Sequence, residues 1–437
     1  MRIGIRREDK NEYEARVPLI PEHIRSLSDQ FPVEFFIQPS AIRAFKDDEY
    51  RQAGAIVQED LEECDIVFAV KEIPVDFVFP GKKYLFFSHT IKGQSYNMPL
   101  LKRMVDLKTT LIDYEKIIDE KGRRLVFFGR FAGIAGMVDS FWALGERLEN
   151  NGFNTVFSKL KQALKYPDLE SIKIVYRKQA EIFSQNGLHE SLTPLIIGFA
   201  GYGNVSRGAQ EMFDIFPHIE IQPEELADFY KKGRFSNKHL YKVVFKEEHL
   251  VNPKNPNSEF NLQDYYDYPE KYESKFEEYL PYLSVLINAI YWDAKYPRLV
   301  TKKYLREKYS SGSPLRLQVI GDITCDLGGS IECNLQETDS GNPVYVYNPE
   351  TEEIKYGTTG NGPVILAVDN LPCELPKESS AFFSTVLKEF IPTLLTTDFD
   401  LDFKMVNLPA ELKHAAILYH GEFTPEFEYM REYITNL

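Results

Sequence analysis

From residue 1 to about 130, short apolar runs alternate with amphipathic stretches. RIGIR, VEFFIQP, DIVFAV, KYLFFSH and TTLIDYE have the length and content of buried strands. PEHIRSLSDQ, DDEYRQAG and MPLLKRMVDLK place apolar residues at threes and fours, which predicts helices between them. This βαβ rhythm predicts a mostly parallel sheet. The small residues of RFAGIAG let a helix start close against another backbone. Val138, Phe141, Trp142, Leu144 and Leu148 continue it as a helical stripe, read as a bridge into a second domain or as an ordinary core helix. Residues 152–190 read as helical.

A second βαβ region opens at LTPLIIGFAGYGNVSRGAQEMF and runs to about residue 335, through strand-like HIEIQP, YLSVLINAIYW and LRLQVIGDITCD. The tyrosine-rich stretch NLQDYYDYPEKYESKFEEY reads as a surface insertion. VYVYNPETEEIKYG reads as a hairpin turning at Asn348-Pro349. From PVILAVDNLP onward the pattern returns to helix and is expected to pack back on the first domain. The expected fold class is α/β, with two Rossmann-like domains of mostly parallel sheet flanking a cleft. The expected boundaries are 1–136 plus 360–437 for a substrate domain and 137–359 for a dinucleotide-binding domain with insertions.

Three apolar runs end on proton-carrying side chains: Lys71 after DIVFAV, His89 after YLFFS, and Glu115 after TLIDY. In open α/β sheets, ligands bind outside the carboxyl ends of the strands. The pattern therefore predicts an acid–base site at one sheet edge. A lone lysine or histidine would read as a structural ion pair or a satisfied core residue. Two at successive strand ends read as chemistry.

Composition narrows the partners. A net charge of −15 disfavours nucleic acid or an anionic membrane as partner of the whole chain. Local arginines leave an anionic substrate open. Cys64, Cys325, Cys333 and Cys373 form no C-x-x-C pair and have no histidine at zinc spacing, so no metal is expected. Such sparse cysteine predicts a reduced, cytoplasmic setting. MRIGIRREDK lacks an apolar core, so no signal peptide is expected, and no run approaches the roughly 18 apolar residues of a membrane span.

The second region carries a glycine loop between an apolar run and a helical pattern: Gly201-Tyr202-Gly203-Asn204-Val205-Ser206-Arg207-Gly208. Gly201 would allow the tight turn. Gly203 would let the backbone approach a pyrophosphate at the helix N-terminus. Ser206 stands where a third glycine would be. The next strand in the chain, HIEIQP, is expected near the adenosine ribose, with Gln222 flanked by Glu220 and Glu224. Lys231, Lys232 and Arg234 could meet a 2′-phosphate or simply form a solvated charge run.

The segments IGIRREDKNEYEARVPL, VKE, FFSHTIKGQ, DYEKIIDEKGRRLVFFGRFAGIAGM, GYGNVSRGAQ, LINAIYW, DITCDLGGSIE and DNLPCELP carry a family resemblance over nearly the whole chain. The chain resembles the lysine–ketoglutarate reductase half of the aminoadipic semialdehyde synthases. More distantly it is similar to the saccharopine dehydrogenases and alanine dehydrogenases. The resemblance implies NADPH-dependent condensation of L-lysine with 2-oxoglutarate and reduction of the imine to saccharopine, with NADH as the alternative cofactor. It implies Lys71 and His89 as acid and base and Glu115 as the carboxylate tuning them, with Glu14 a weaker candidate for the same role near the substrate. It further implies Arg16 and Arg124 on substrate carboxylates and Phe128 near the substrate. Gly201, Gly203, Asn204 and Val205 would hold the dinucleotide, and Asn288, Asp322 and Asp326 would line its nicotinamide side. The chain is expected to be a stand-alone reductase, and a homo-oligomer is left open. The alternatives are a lysine-forming NAD-dependent saccharopine dehydrogenase, an alanine dehydrogenase-like enzyme, and a catalytically silent nucleotide-binding regulatory protein.

Overall fold

A computed structural model describes residues 1–312 and 315–435. The chain divides into two compact units, one of residues 1–128 with 376–437, the other of residues 129–375. Each holds one eight-stranded sheet.

In the first unit, β1 (Arg2–Ile5), β2 (Glu34–Ile37), β3 (Ile56–Val57), β4 (Ile66–Phe68), β5 (Lys83–Phe86) and β6 (Thr110–Asp113) follow the apolar runs. They pair in parallel in the order β6-β5-β4-β1-β2-β3. The chain winds outward from β1 to β3, then restarts on the other side of β1 with β4. That reversal opens a crevice at the carboxyl ends of β1 and β4. The C-terminal hairpin Ala416–Tyr419/Glu422–Phe423 extends the sheet antiparallel beyond β6. The helix Pro376–Lys388 returns to this unit and packs Phe383 and Leu387 into its core. Ser380 and Ser384 accept from the backbone N–H groups of Val17 and Ile20 at 2.9 and 3.0 Å.

In the second unit, β7 (Ile196–Ala200) is buried at every position, as suits a central parallel strand. It lies between β9 (Leu240–Phe245) and the strand Val285–Asn288. Val319–Asp322 and Val364–Leu366 continue the parallel sheet. The hairpin Val344–Tyr347/Ile354–Tyr356 closes that edge antiparallel, turning through Asn348-Pro349. β8 (His218–Glu220) forms the opposite edge, beyond β9.

Four readings change. RFAGIAG and the stripe after it form one helix, Gly129–Asn150, whose apolar face belongs wholly to the second unit's core. PVILAV is not the return to helix: Val364–Leu366 is a buried strand of the second sheet. The unit boundaries therefore fall after Phe128 and Leu375. Residues 152–190 hold two single-turn 3₁₀ segments before one long helix, Leu169–Asn186. HIEIQP is an edge strand and not the neighbour of β7. The chain's last two residues, Asn436 and Leu437, lie outside the described residues. Among those described, no helix is long and apolar enough to cross a membrane.

Candidate active site

Four adjacent strands of the first unit, β1, β4, β5 and β6, end in ionisable residues on one edge. Glu8 follows β1, Lys71 and Glu72 follow β4, His89 follows β5, and Asp113 and Glu115 close β6. The parallel register makes this inevitable: strands that start level end level, so whatever follows each run meets at one rim.

Each turn is pinned by a buried carboxylate. Glu8 Oε1 accepts from the backbone N–H of Val70 at 2.7 Å, and Oε2 from that of Lys71 at 2.9 Å. One acid on β1 thus fixes the loop that carries Lys71 across the crevice. Burial, with the Glu14 charge added, pushes the Glu8 carboxyl up to about 7, against the pull of those two N–H groups and Arg6. Asp113 plays the same part between β5 and β6. Its Oδ2 accepts from the Ser88 backbone N–H at 3.0 Å and from the Ser88 hydroxyl, and its Oδ1 accepts from the Glu115 N–H at 2.7 Å.

His89 has φ +48°, a left-handed backbone that costs a non-glycine residue roughly 1 kcal/mol. Asn97 holds it there, donating to the carbonyls of Ser88 and His89 at 2.9 and 3.3 Å. The ring meets Glu72: Nδ1 lies 3.0 Å from Glu72 Oε2, while Lys10 Nζ donates to Glu72 Oε1 at 2.5 Å. Burial raises the Glu72 carboxyl, but the bonds from His89 and Lys10 outweigh it and hold the group down at about 2. Glu72 is therefore an anion that orients the imidazole and leaves Nε2 for other partners.

The carboxylate on His89 is thus Glu72. Glu115, expected in that role, instead accepts from the Arg124 guanidinium, whose side chain is half-exposed. Glu14 and Arg16 form a fork-to-fork pair, Nε to Oε1 at 2.7 Å and Nη2 to Oε2 at 2.5 Å, with both side chains buried. A substrate carboxylate at Arg16 would share the guanidinium with Glu14. The Arg16 guanidinium lies 4.3 Å over the Phe128 ring, and Phe128 stacks on Phe383 at 5.0 Å. Phe87 and Tyr114 complete an aromatic floor beneath the rim.

In the second unit, Gly201 (φ +97°) ends β7 and Gly203 caps the ten-residue helix Asn204–Phe213. A side chain at Gly201 would press on the Ala289 carbonyl. One at Gly203 would meet nothing within 4 Å, so the backbone there is bare. The helix's first N–H groups, among them those of Asn204 and Val205, have no intrahelical acceptor. Bare backbone, unpaired donors and the positive helix end fit a pyrophosphate. Gly208 serves packing instead. A Cβ there would strike the carbonyl of Arg130, and one at Gly133 would strike that of Val205. Those two glycines let helices Gly129–Asn150 and Asn204–Phe213 touch backbone to backbone.

A cavity of about 360 Å³ opens beside the loop. Tyr202, Lys246, Glu247, Tyr265, Tyr266, Trp292 and Tyr296 are among the residues that line it. The tyrosine-rich insertion is thus a wall of this cavity, not only surface. Since β9 neighbours β7, the residues that follow the adjacent strand are Lys246 and Glu247. Glu220 ends the edge strand instead, and Gln222 and Glu224 follow it. Asn288 and Asp322 are buried and tied to each other at 2.8 Å. Thr324, Ser330 and Asn334 are drawn into the same network at 2.8–3.0 Å. They brace the turns after their strands. Asp326 is exposed at the turn closed by the Gly329 N–H.

The sequence reading missed Glu8, Glu72, Asp113 and Glu247. Glu8 carried the same signal as Lys71, His89 and Glu115, an ionisable residue closing an apolar run. Glu247 carried none until the strand order was known.

Two Rossmann-like units, one with ionisable strand ends and one with a glycine loop opening a helix, define a two-domain class of α/β proteins. The alanine dehydrogenase/PNT N-terminal domain matches residues 4–135 and the C-terminal domain of the same family matches residues 244–426. The chain belongs to the alanine dehydrogenase/PNT family. Over 98% of its length it is 36% identical to an alpha-aminoadipic semialdehyde synthase of Arabidopsis thaliana, of which it spans 41%. It is 25% identical over 90% of its length to a saccharopine dehydrogenase [NAD(+), L-lysine-forming] of Emericella nidulans, spanning 91% of that protein. A solved L-alanine dehydrogenase matches all of the chain, and is itself matched in full, with a TM-score of 0.64 at 18% identity, which shows the shared fold.

Proposed function

We propose that the protein is a nicotinamide-dependent reductase that joins L-lysine to 2-oxoglutarate and reduces the imine to saccharopine, a step of lysine degradation. The observation that carries this reading is the pairing of Lys71 and His89 at neighbouring strand ends, with the imidazole oriented by an ionised Glu72.

Imine formation requires a neutral substrate amine, then loss of water from a carbinolamine. Both steps move protons. In this reading His89 Nε2 takes and returns the proton, with Glu72 stabilising the imidazolium. Lys71, on a backbone braced by Glu8, serves the carbinolamine oxygen. Arg124 is half-exposed, and its guanidinium suits a substrate carboxylate, as does that of Arg16. Phe128 and its aromatic neighbours exclude water beneath the reacting carbon. Gly201, Gly203, Asn204 and Val205 hold the dinucleotide's pyrophosphate. When bound, the dinucleotide supplies the hydride. Asn288 and Asp322 keep the strand-end turns on the nicotinamide side in place. Lys246 and Glu247, which line the cavity beside the loop, would face the dinucleotide's ribose 2′ position, and which of them governs there would decide between NADPH and NADH. The proposed compartment is the cytoplasm, in keeping with four cysteines that are all buried as free thiols.

Oxidation of NADH and NADPH followed with lysine plus 2-oxoglutarate, and separately with pyruvate plus ammonia, tests the reading. Turnover with the first pair supports it. Turnover with the second pair alone replaces it with reductive amination of an oxo acid by ammonia. Oxidation of saccharopine much faster than its formation, near neutral pH, would make the lysine-forming direction the better reading.

A further inference from the structure

We infer that Glu247 reads the ribose 2′ position and selects NADH, where the family resemblance implies NADPH. The inference rests on the dinucleotide reading of the glycine-loop cavity and goes beyond it by naming the residue that discriminates.

The placement comes from the backbone. The Gly201 N–H donates to the Phe245 carbonyl at 2.9 Å, so the end of β9 lies directly against the glycine loop. Lys246 and Glu247 follow at once and line the same cavity as Gly201 and Gly203. In such folds a carboxylate at the end of this neighbouring strand accepts from the ribose 2′-hydroxyl, while a cation in its place meets a 2′-phosphate. Here both charges stand side by side, and geometry chooses between them.

Glu247 is held. The Tyr266 hydroxyl, from the tyrosine-rich insertion, donates to its Oε1 at 2.8 Å. Tyr202, in the loop itself, hydrogen-bonds to the same carboxylate and feels its charge. Both tyrosines thereby fix the carboxylate at the cavity wall, and the lone-pair sites that remain on its two oxygens can accept from a ribose diol. Lys246 is exposed on a flexible stem, and the acids around it outnumber it. His249, one turn on, draws Glu224 to 2.8 Å and Glu248 to 3.7 Å. A 2′-phosphate would bring roughly two more negative charges to a strand end that already carries Glu247 and Glu248, with Glu224 drawn near by His249. Repulsion from a fixed carboxylate outweighs attraction to one mobile ammonium. The insertion therefore gains a purpose: Tyr266 turns an ordinary surface glutamate into an oriented acceptor.

Titration calorimetry of the full chain with NADH and with NADPH tests this without turnover. The expected wild-type result is a dissociation constant for NADH at least ~10-fold below that for NADPH, the scale of one charge-assisted hydrogen bond. Glu247→Gln should erase most of that ratio, chiefly by tightening NADPH. Tyr266→Phe should narrow it by a few fold with Glu247 still present, and serves as the second variant if the first fails to fold. Equal or tighter NADPH binding by the wild type overturns the inference and leaves the dinucleotide reading standing. So does an unchanged ratio in a folded Glu247→Gln. Binding of neither nucleotide overturns both.

Discussion

Glu8→Gln gives the sharpest test of how the first unit's rim is built. The substitution keeps the shape and removes the charge from a side chain that is almost fully buried. In the folded chain this carboxyl titrates at about 7, against 4.5 unperturbed, because burial and the Glu14 charge outweigh two backbone N–H donors and Arg6. A raised carboxyl means that the unfolded chain ionises first as pH rises. Below pH 4.5 both states are neutral and Glu8 contributes nothing to the pH dependence. Above pH 7 both are ionised and the folded state bears the whole penalty, about 3 kcal/mol for this shift. Between pH 5 and pH 8 the wild type should therefore lose about 2.5 kcal/mol that the glutamine variant retains. The variant has its own cost. One glutamine oxygen cannot serve both Val70 and Lys71 N–H groups, which removes about 1–2 kcal/mol at every pH. The variant should be the less stable protein at pH 5 and the more stable one at pH 8. Urea titrations followed by far-ultraviolet circular dichroism measure this. Tryptophan fluorescence would not, because Trp142 and Trp292 both lie in the second unit. A stability difference that is the same at pH 5 and pH 8 refutes the argument.

Other consequences are as direct. Lys71→Met should lower turnover with lysine and 2-oxoglutarate by at least ~10²-fold, the usual scale of acid–base catalysis, and a variant as fast as wild type removes Lys71 from the mechanism. Glu72→Gln should slow turnover by unseating His89. It should also flatten the acid limb of stability: the carboxyl is held near 2 in the fold, so its contribution is complete above pH 4.5 and vanishes as pH falls toward 2. Acid titrations of both proteins by circular dichroism compare the two limbs. Gly208→Ala should cost about 1–3 kcal/mol in a thermal melt, since its Cβ meets the Arg130 carbonyl. Gly203→Ala, at φ −75° with open space around it, should melt like wild type yet weaken dinucleotide binding in calorimetry.

The apolar runs determined much of this protein unaided. A run such as TLID is too short for a helix of its own and is apolar on both faces, as an inner parallel strand requires, so run length and pattern located β1, β2, β4, β5, β6 and β7. Because parallel strands end level, the same reading located Lys71, His89 and Glu115 on one edge. What it could not supply was adjacency. Whether Glu72 or Glu115 holds His89, and whether Arg16 faces Glu14 or solvent, depends on a few ångströms of side-chain reach across strands, which no one-dimensional spacing encodes. The order of strands in the second sheet is the clearest instance. HIEIQP follows the glycine loop in the chain, yet β9, still later, pairs with β7, and so Glu247, not Glu220 or Glu224, stands at the cavity. Local hydrophobic pattern specifies that a segment is a strand. Only packing of the whole sheet decides which strand lies beside it, and chemistry at a strand end belongs to neighbours in space.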